Sequence, residues 1–302
     1  MKLRVSPERR VRLADAGKRA GGNVAAGLNR VFGSRARGRF GILLYHRVVP
    51  APHDGQPPFE TVSPAQFRAQ VEGLLERGIH FARLADVIDA SLRGDSIPPE
   101  TSVVTFDDGY ANVFEYACPI LADLGVPATV FVATAYIGSA DPFPFDAWTR
   151  VRPASVPVET WRPLDWAECE EMQASGLIDI GSHTHTHADF RGRPDAFEQD
   201  VSRSLELLER HLGPGPRPFA FPFGNVTKGF AGPELADAAR RAGVTCGLTT
   251  ELELVDAADD PFTWGRVEAV ASDTASVCAA KLAGWYGWMG TSRRAFQRLV
   301  SR

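Results

Sequence analysis

The chain has little cysteine, and none of it is arranged in pairs. Its 302 residues include four cysteines, which stand at the scattered positions Cys118, Cys169, Cys246 and Cys278. Because no two of them form a CxxC pair, the sequence gives no support for a zinc ribbon or a thioredoxin-like redox site. We expect these cysteines to be small core residues.

The sequence also lacks a long apolar run. No segment approaches the roughly 18 uninterrupted apolar residues of a membrane-spanning helix. Residues 1–39 contain eleven Lys or Arg against two acidic residues, and charges interrupt every apolar stretch before Phe40. The start therefore lacks the apolar core of a secretion signal and predicts a cytoplasmic protein. Residues 10–33 could form a basic helix on an anionic membrane surface, giving peripheral contact through residues 1–39, although a solvated terminal arm is more common.

Composition limits the class of protein and of partner. A formal net charge of −4 and a pI near 6.0 give no reason to expect nucleic acid as a partner. The chain is 44% hydrophobic, which is enough to bury a full core. We predict a basic N-terminal arm over residues 1–38 and one catalytic domain over 39–302, with a Pro- and aromatic-rich insertion near 139–164.

From Phe40 onward, strand-like and helix-like segments alternate. Predicted strands cover residues 41–45, 102–106, 128–133, 177–181, 218–221 and 245–248, and predicted helices lie between them at 63–75, 84–92, 112–124, 165–175, 196–212 and 233–242. This rhythm indicates a parallel α/β barrel or a doubly wound sheet, which the pattern alone does not separate. In both folds the chemistry lies where strands end.

The first polar cluster, TFDDGY at residues 105–110, follows an apolar strand. Two adjacent carboxylates allow one to bind a metal while the other moves protons, because the cation keeps its neighbour ionised. The structural alternative is an Asp-Gly turn that begins the next helix.

The second cluster, SHTHTH at residues 182–187, holds three of the seven histidines. Neutral imidazole is the commonest metal ligand in proteins. Thr184 stands where a zincin requires Glu, which excludes the HExxH arrangement. His185 could share a face with His183 and His187, so a site with three histidines stays open, as does a polar surface turn without metal.

Together the two clusters predict one catalytic metal site. Asp108, His183 and His187 would be its ligands, with an open position for water, and Asp107 would remain as the general base. Such a set accepts Zn²⁺ readily, while Co²⁺, Ni²⁺ or Mn²⁺ could also serve.

TFDDGY followed by SHTHTHADF resembles the first two motifs of the polysaccharide deacetylases (carbohydrate esterase family 4, NodB-homology type). The similarity covers roughly residues 40–270. It implies a distorted (β/α) barrel and a metal-dependent hydrolase that removes N-acetyl groups from amino sugars. It also implies that Asp107 is the base, that Asp108, His183 and His187 bind the metal, and that a backbone N–H near Tyr110 stabilises the oxyanion.

The third motif departs from the family pattern. FAFPFG at residues 219–224 resembles it, so that Pro222 and Phe223 would line the substrate, with Phe223 where Tyr is common. The family's arginine, which orients the base, is replaced by Ala220 or Phe221. Arg266 is our candidate for that role; the alternative is an Arg in an ordinary salt bridge.

The family's motif for the general acid also has no counterpart at its usual place in this chain. Many relatives carry a late Leu-x-His, but this chain has no histidine after His211. The segment LYHRV at residues 44–48 resembles the early YH element of circularly permuted members that act on poly-N-acetylglucosamine. We therefore assign His46 as the acid, against the alternative of a histidine buried at the sheet edge.

Three questions of function stay open at this stage. The expected substrate is an N-acetylated carbohydrate, either a polysaccharide or a glycoconjugate. The alternative is a small amide, such as a cyclic amide or an acylated sugar on a nucleotide or lipid carrier. A non-catalytic carbohydrate-binding protein is the remaining alternative, although all four metal and base residues are present. Aromatic residues of the insertion and of 285–288 could stack on sugar rings, but packing is the more common role.

Overall fold

The computed structural model describes residues 21–50, 58, 60–98, 100–146, 149 and 156–286. Its strands are β1 (Gly41–Tyr45), β2 (Arg47–Val48), β3 (Thr61–Val62), β4 (His80–Phe81), β5 (Thr101–Phe106), β6 (Ala128–Val132), β7 (Ile178–Ser182) and β8 (Val267–Glu268). Its α-helices are α1 (residues 21–32), α2 (Pro64–Leu75), α3 (Leu84–Arg93), α4 (Cys118–Leu124), α5 (Trp166–Ala174), α6 (Pro194–Leu212), α7 (Pro233–Ala242) and α8 (Ala275–Leu282).

The main sheet has the order β7-β6-β5-β1-β8, and β4 pairs with the start of β5. All of its pairings are parallel. Parallel neighbours need crossover connections, which the helices supply. β1, β5 and β6 are buried throughout, so their near-continuous apolar sequences follow from cover on both faces.

Single bridges continue the sheet from β7 towards β8. Ser182 bridges Phe219, and Ala220 bridges Leu248; the Thr249 N–H then donates to the Trp264 carbonyl at 2.8 Å. The predicted strands at 218–221 and 245–248 are therefore reduced to bridges. Prolines at both ends of the first segment cannot donate to a ladder, which is one cause. The described strands therefore form a parallel α/β sheet of the kind that the implied (β/α) barrel contains, but they do not close into a continuous ring.

The longer predicted elements are confirmed. α2 begins as expected, since the Ser63 hydroxyl accepts from the Gln66 N–H and the Gln66 side chain accepts from the Ser63 N–H. The helix predicted at 112–124 contains a π-helical turn, Val113–Ala117, before α4. β2, β3, β4, β8 and α8 were missed; the four strands have two residues each, too few to show a period.

The structure also shows the four cysteines and part of the basic N-terminal segment. Cys169, Cys246 and Cys278 are buried and Cys118 is half-buried, and all are free thiols, as expected. Of the helix suggested at 10–33, residues 21–32 are helical, and residues 1–20 lie outside the described residues. No helix in the described part of the chain is both long and apolar enough to cross a bilayer.

Candidate metal centre and active site

Strand register brings the candidate residues together. Tyr45 of β1 pairs with Phe106 of β5, so His46 and Asp107 are the next residues on neighbouring strands. The Asp107 N–H donates to the Tyr45 carbonyl at 3.0 Å, and the His183 N–H donates to the Val132 carbonyl at 2.9 Å. The carboxyl ends of β1, β5 and β7 therefore meet at one edge of the sheet, where active sites of such folds lie.

Asp108, His183 and His187 form a cluster with the geometry of a metal site. One ligand atom from each lies within 4.8 Å of the others, and no other such group of three occurs in the part of the chain that the structure describes. Asp108 Oδ1 is 3.6 Å from His183 Nε2 and 3.5 Å from His187 Nε2. A carboxylate and two imidazoles around one point suit a divalent cation with an open coordination position.

Both histidines direct Nε2 towards this cluster. Burial would lower the pKa of His183, but Asp107 and Asp108 outweigh it and the pKa is raised. His183 Nδ1 lies 2.7 Å from the Ala220 carbonyl; because a carbonyl only accepts, Nδ1 carries a proton and Nε2 is left to face Asp108. Burial, together with the nearby His183, lowers the pKa of His187 to about 4. These residues therefore fit the metal that the sequence predicts.

The surroundings of Asp108 favour its ionised form, as a metal ligand requires. Burial alone would raise its pKa, but hydrogen bonding to His183 and the charge of His46 lower the pKa well below the ordinary value. Its backbone φ is 75°, and Thr184 and His187 have φ of 66° and 52°. Positive φ is uncommon outside glycine, and its clustering at these residues fits the strain that active sites hold.

His185 is not part of the cluster. Its Nδ1 lies 3.0 Å from the Thr134 hydroxyl, while its N–H donates to Asp200 at 2.6 Å. Asp200, on α6, also accepts from the N–H and the hydroxyl of Thr186, at 3.0 and 2.7 Å. Sequence analysis did not predict that Asp200 would hold the loop of residues 183–187, which we call the histidine loop. The available signal was an acidic residue on the otherwise buried face formed by Phe197, Val201 and Ser204.

Arg266 holds Asp107 in a bidentate ion pair. The two guanidinium nitrogens donate to Asp107 Oδ1 and Oδ2 at 2.6 and 2.7 Å, and Arg266 Nε donates to the Thr249 carbonyl at 2.9 Å. Burial would raise the pKa of Asp107, but Arg266 outweighs it and the pKa is lowered. Both side chains are buried. Asp107 is therefore a fixed, ionised carboxylate beside the metal ligands.

His46 lies at the same edge, half-buried. Its charge is among the causes that lower the pKa of both Asp107 and Asp108, which places it close to the two carboxylates. Its Nδ1 is buried, with no hydrogen-bond partner among the described residues. The imidazole is thus positioned to carry a proton near the cluster.

Of the expected substrate residues, Phe223 alone has an exposed side chain. It is 46% exposed, and its ring lies edge-on to His187 at 4.8 Å. Pro222 is buried beside it. The Tyr110 side chain is buried, donates to Asp146 at 3.1 Å and accepts from Arg47, so only its backbone can serve an oxyanion.

The aromatic residues of the insertion mostly pack. Phe143 is buried and lies edge-on to Tyr110. Phe145 stacks on His187 with ring centroids 3.8 Å apart, so it covers one face of a metal ligand. An ion pair between Arg47 and Asp146 fixes this segment. Trp148 and Trp288 lie outside the described residues.

Replacement of His187 by alanine is expected to abolish metal binding, because the cluster would keep only two ligands. Elemental analysis of the purified chain should fall from about one metal equivalent to near zero. His185→Ala is the matched control and should retain the metal. A variant without His185 that lost metal as completely would place a third histidine in the site.

A family profile described as polysaccharide deacetylase matches residues 95–247, about half of the chain. This range includes Asp107, Asp108, His183 and His187 but neither His46 nor Arg266. Poly-beta-1,6-N-acetyl-D-glucosamine N-deacetylases are similar: that of Staphylococcus epidermidis is 24% identical, covering 68% of this chain and 67% of the relative. The one from Staphylococcus aureus strain MRSA252 is 22% identical, covering 65% and 63%. The chain thus spans about two thirds of the length of these relatives.

Solved structures share the fold. IcaB from Ammonifex degensii aligns with a TM-score of 0.65 at 26% identity, covering 82% of this chain and 96% of that one. The Streptococcus pyogenes deacetylase PplD, in complex with acetate, aligns with a TM-score of 0.66 at 20% identity, covering 81% and 98%. With the motif residues gathered at one edge of such a fold and a family match over half its length, this chain belongs to the polysaccharide deacetylase family.

Proposed function

We propose that the chain is a metal-dependent hydrolase that removes N-acetyl groups from the amino sugars of a polysaccharide. The observation that carries this proposal is a three-ligand cluster beside a carboxylate that an arginine holds ionised. The named relatives act on poly-β-1,6-N-acetylglucosamine. We therefore propose an oligomer or polymer of that type as the substrate.

Asp108, His183 and His187 would hold the metal, with Zn²⁺ first and Co²⁺, Ni²⁺ or Mn²⁺ as alternatives. The bound cation would polarise the acetyl carbonyl and acidify a water molecule. Asp107 would take the proton of the attacking water, because it is ionised and its orientation is fixed by two hydrogen bonds from Arg266.

His46 would donate a proton to the sugar nitrogen as acetate separates from it. An amine is a poor leaving group unless it is protonated, so this step requires an acid near the base. The backbone N–H near Tyr110 would donate to the oxyanion. The exposed Phe223 ring, backed by the buried Pro222, would form one wall against which the sugar ring lies.

The direct test is acetate release from β-1,6-linked N-acetylglucosamine oligomers, measured with and without added Zn²⁺. β-1,4-linked oligomers and monomeric N-acetylglucosamine serve as substrate controls. Faster turnover of the β-1,6 oligomers that depends on metal would support the proposal. Turnover of small amides alone would favour a small substrate, and a metal-loaded protein that hydrolyses none of them would favour the binding protein.

The acid role of His46 makes a prediction that depends on the leaving group. His46→Ala should reduce the hydrolysis of N-acetylglucosamine oligomers by about 10²-fold or more. Hydrolysis of 4-nitrophenyl acetate should change little, because nitrophenolate leaves without a proton. His80→Ala, which removes a histidine on β4, is the control. An equal loss on both substrates would exclude His46 as the acid.

A further inference from the structure

Helix α1 turns its large apolar side chains away from the protein. Val24, Val31 and Phe32 are 63%, 73% and 70% exposed, and Leu28 is 36% exposed. The residues it buries are the small Gly22 and Ala25. A helix of a globular protein normally shows the opposite arrangement, with its large apolar residues towards the core. We call Val24, Leu28, Val31 and Phe32 the outward stripe.

The helix that carries this stripe is attached to the domain. The Trp285 indole donates to Asn29 Oδ1 at 3.2 Å and to the Gly33 carbonyl at 3.1 Å. Just after the helix, the Arg35 N–H donates to the Ala283 carbonyl at 2.8 Å. A side chain added at Gly22 would meet Val277 of α8 at 3.0 Å, so the two helices are in close contact there. These contacts hold the outward stripe on the surface.

The stripe is accompanied by positive charge. Residues 21–39 contain Arg30, Arg35, Arg37 and Arg39 and no acidic residue. Arg30, Arg35 and Arg37 are exposed. Three acidic residues lie near the helix: Glu76 and Glu100 line a cleft with its Ala26 and Arg30, and Asp273 lines another with its Asn23. Neither cleft includes a residue of the outward stripe. An apolar stripe flanked by arginines matches an anionic lipid surface, where apolar side chains enter the headgroup region and cations meet lipid charge.

We propose that the outward face of α1 docks on an anionic membrane surface. The helix lies beside Ile79 and Glu100, which precede β4 and β5 and so mark the amino ends of the strands. The candidate active site lies at the carboxyl ends. Docking through α1 therefore leaves the candidate active site directed away from the lipid, towards a polymer in the aqueous phase.

Sedimentation of the full chain with phosphatidylcholine vesicles, with and without phosphatidylglycerol, tests this proposal. We expect binding to the vesicles that contain phosphatidylglycerol, weakened by added salt. Val31→Ser/Phe32→Ser should weaken it by at least about tenfold, since two exposed apolar side chains are lost. Leu92→Ser is the matched control, because Leu92 is 69% exposed on α3, and it should bind as before.

The charge is tested by Arg30→Gln/Arg37→Gln, which should also weaken binding to the anionic vesicles. No binding by the unaltered chain, equal binding to the neutral vesicles, or an equal loss in the Leu92 variant would each overturn the proposal. Light scattering in the absence of vesicles tests whether the chain forms a dimer instead. If the chain is a dimer that the Val31/Phe32 variant dissociates, a second copy covers this face, and the membrane assignment is wrong.

Discussion

Asp107→Asn is expected to lower acetate release by about 10²- to 10⁴-fold and to leave the metal content unchanged. Asparagine keeps the size of the side chain but cannot accept the proton of the attacking water. The proposed metal ligands are Asp108, His183 and His187, which this substitution does not change. The measurements are initial rates on N-acetylglucosamine oligomers and elemental analysis of the same sample.

Asp108→Asn is the paired control, because it should lose metal and activity together. Metal content would then distinguish the role of Asp107 from that of Asp108, although both variants release little acetate. Full activity in Asp107→Asn would mean that another group accepts the proton.

Arg266→Met is expected to lower the free energy of unfolding by about 3–5 kcal/mol. The change leaves the Asp107 carboxylate buried without its partner; the side chains of the pair are 0% and 3% exposed. Urea unfolding of the metal-free protein measures the loss. Arg266→Lys should recover only part of it, because an ammonium cannot form two parallel hydrogen bonds with a carboxylate.

The double variant Arg266→Met/Asp107→Asn should be more stable than Arg266→Met alone, since no uncompensated charge remains. The exposed pair Arg203–Glu206 gives the comparison: Arg203→Met should cost less than about 1 kcal/mol. If the losses of unfolding free energy in the two single variants add up to the loss in the double variant, the buried pair does not couple energetically.

The main strands and the metal ligands could be predicted from sequence for definite physical reasons. β1, β5 and β6 are buried on both faces, so they appear as apolar runs. Asp108 follows β5, and His183 and His187 follow β7; parallel strands bring their carboxyl ends together. The local pattern therefore predicted the metal cluster, although it left the part played by His185 open.

Other parts of the site depend on contacts between distant residues, which no local pattern records. The Arg47–Asp146 pair joins residues 99 positions apart, and Asp200 reaches the histidine loop from the middle of α6. The partners of Arg266 could not be read from its neighbours in sequence; the absence of the usual third-motif arginine was the signal that pointed to it. The segments at 218–221 and 245–248 were predicted as strands but form only single bridges, at Phe219, Ala220 and Leu248, because their pairing depends on neighbours distant in sequence.

The position of Arg266 in the chain has a consequence for biosynthesis. Asp107 and Arg266 are separated by 159 residues, which a ribosome adds in about ten to thirty seconds. The three proposed metal ligands, of which His187 is the last, are likewise synthesised before Arg266, the counter-charge of the proposed base. Until then the nascent chain also lacks β8, the neighbour of β1. The buried pair of Asp107 and Arg266 can thus form only when the last part of the sheet has emerged, late in synthesis.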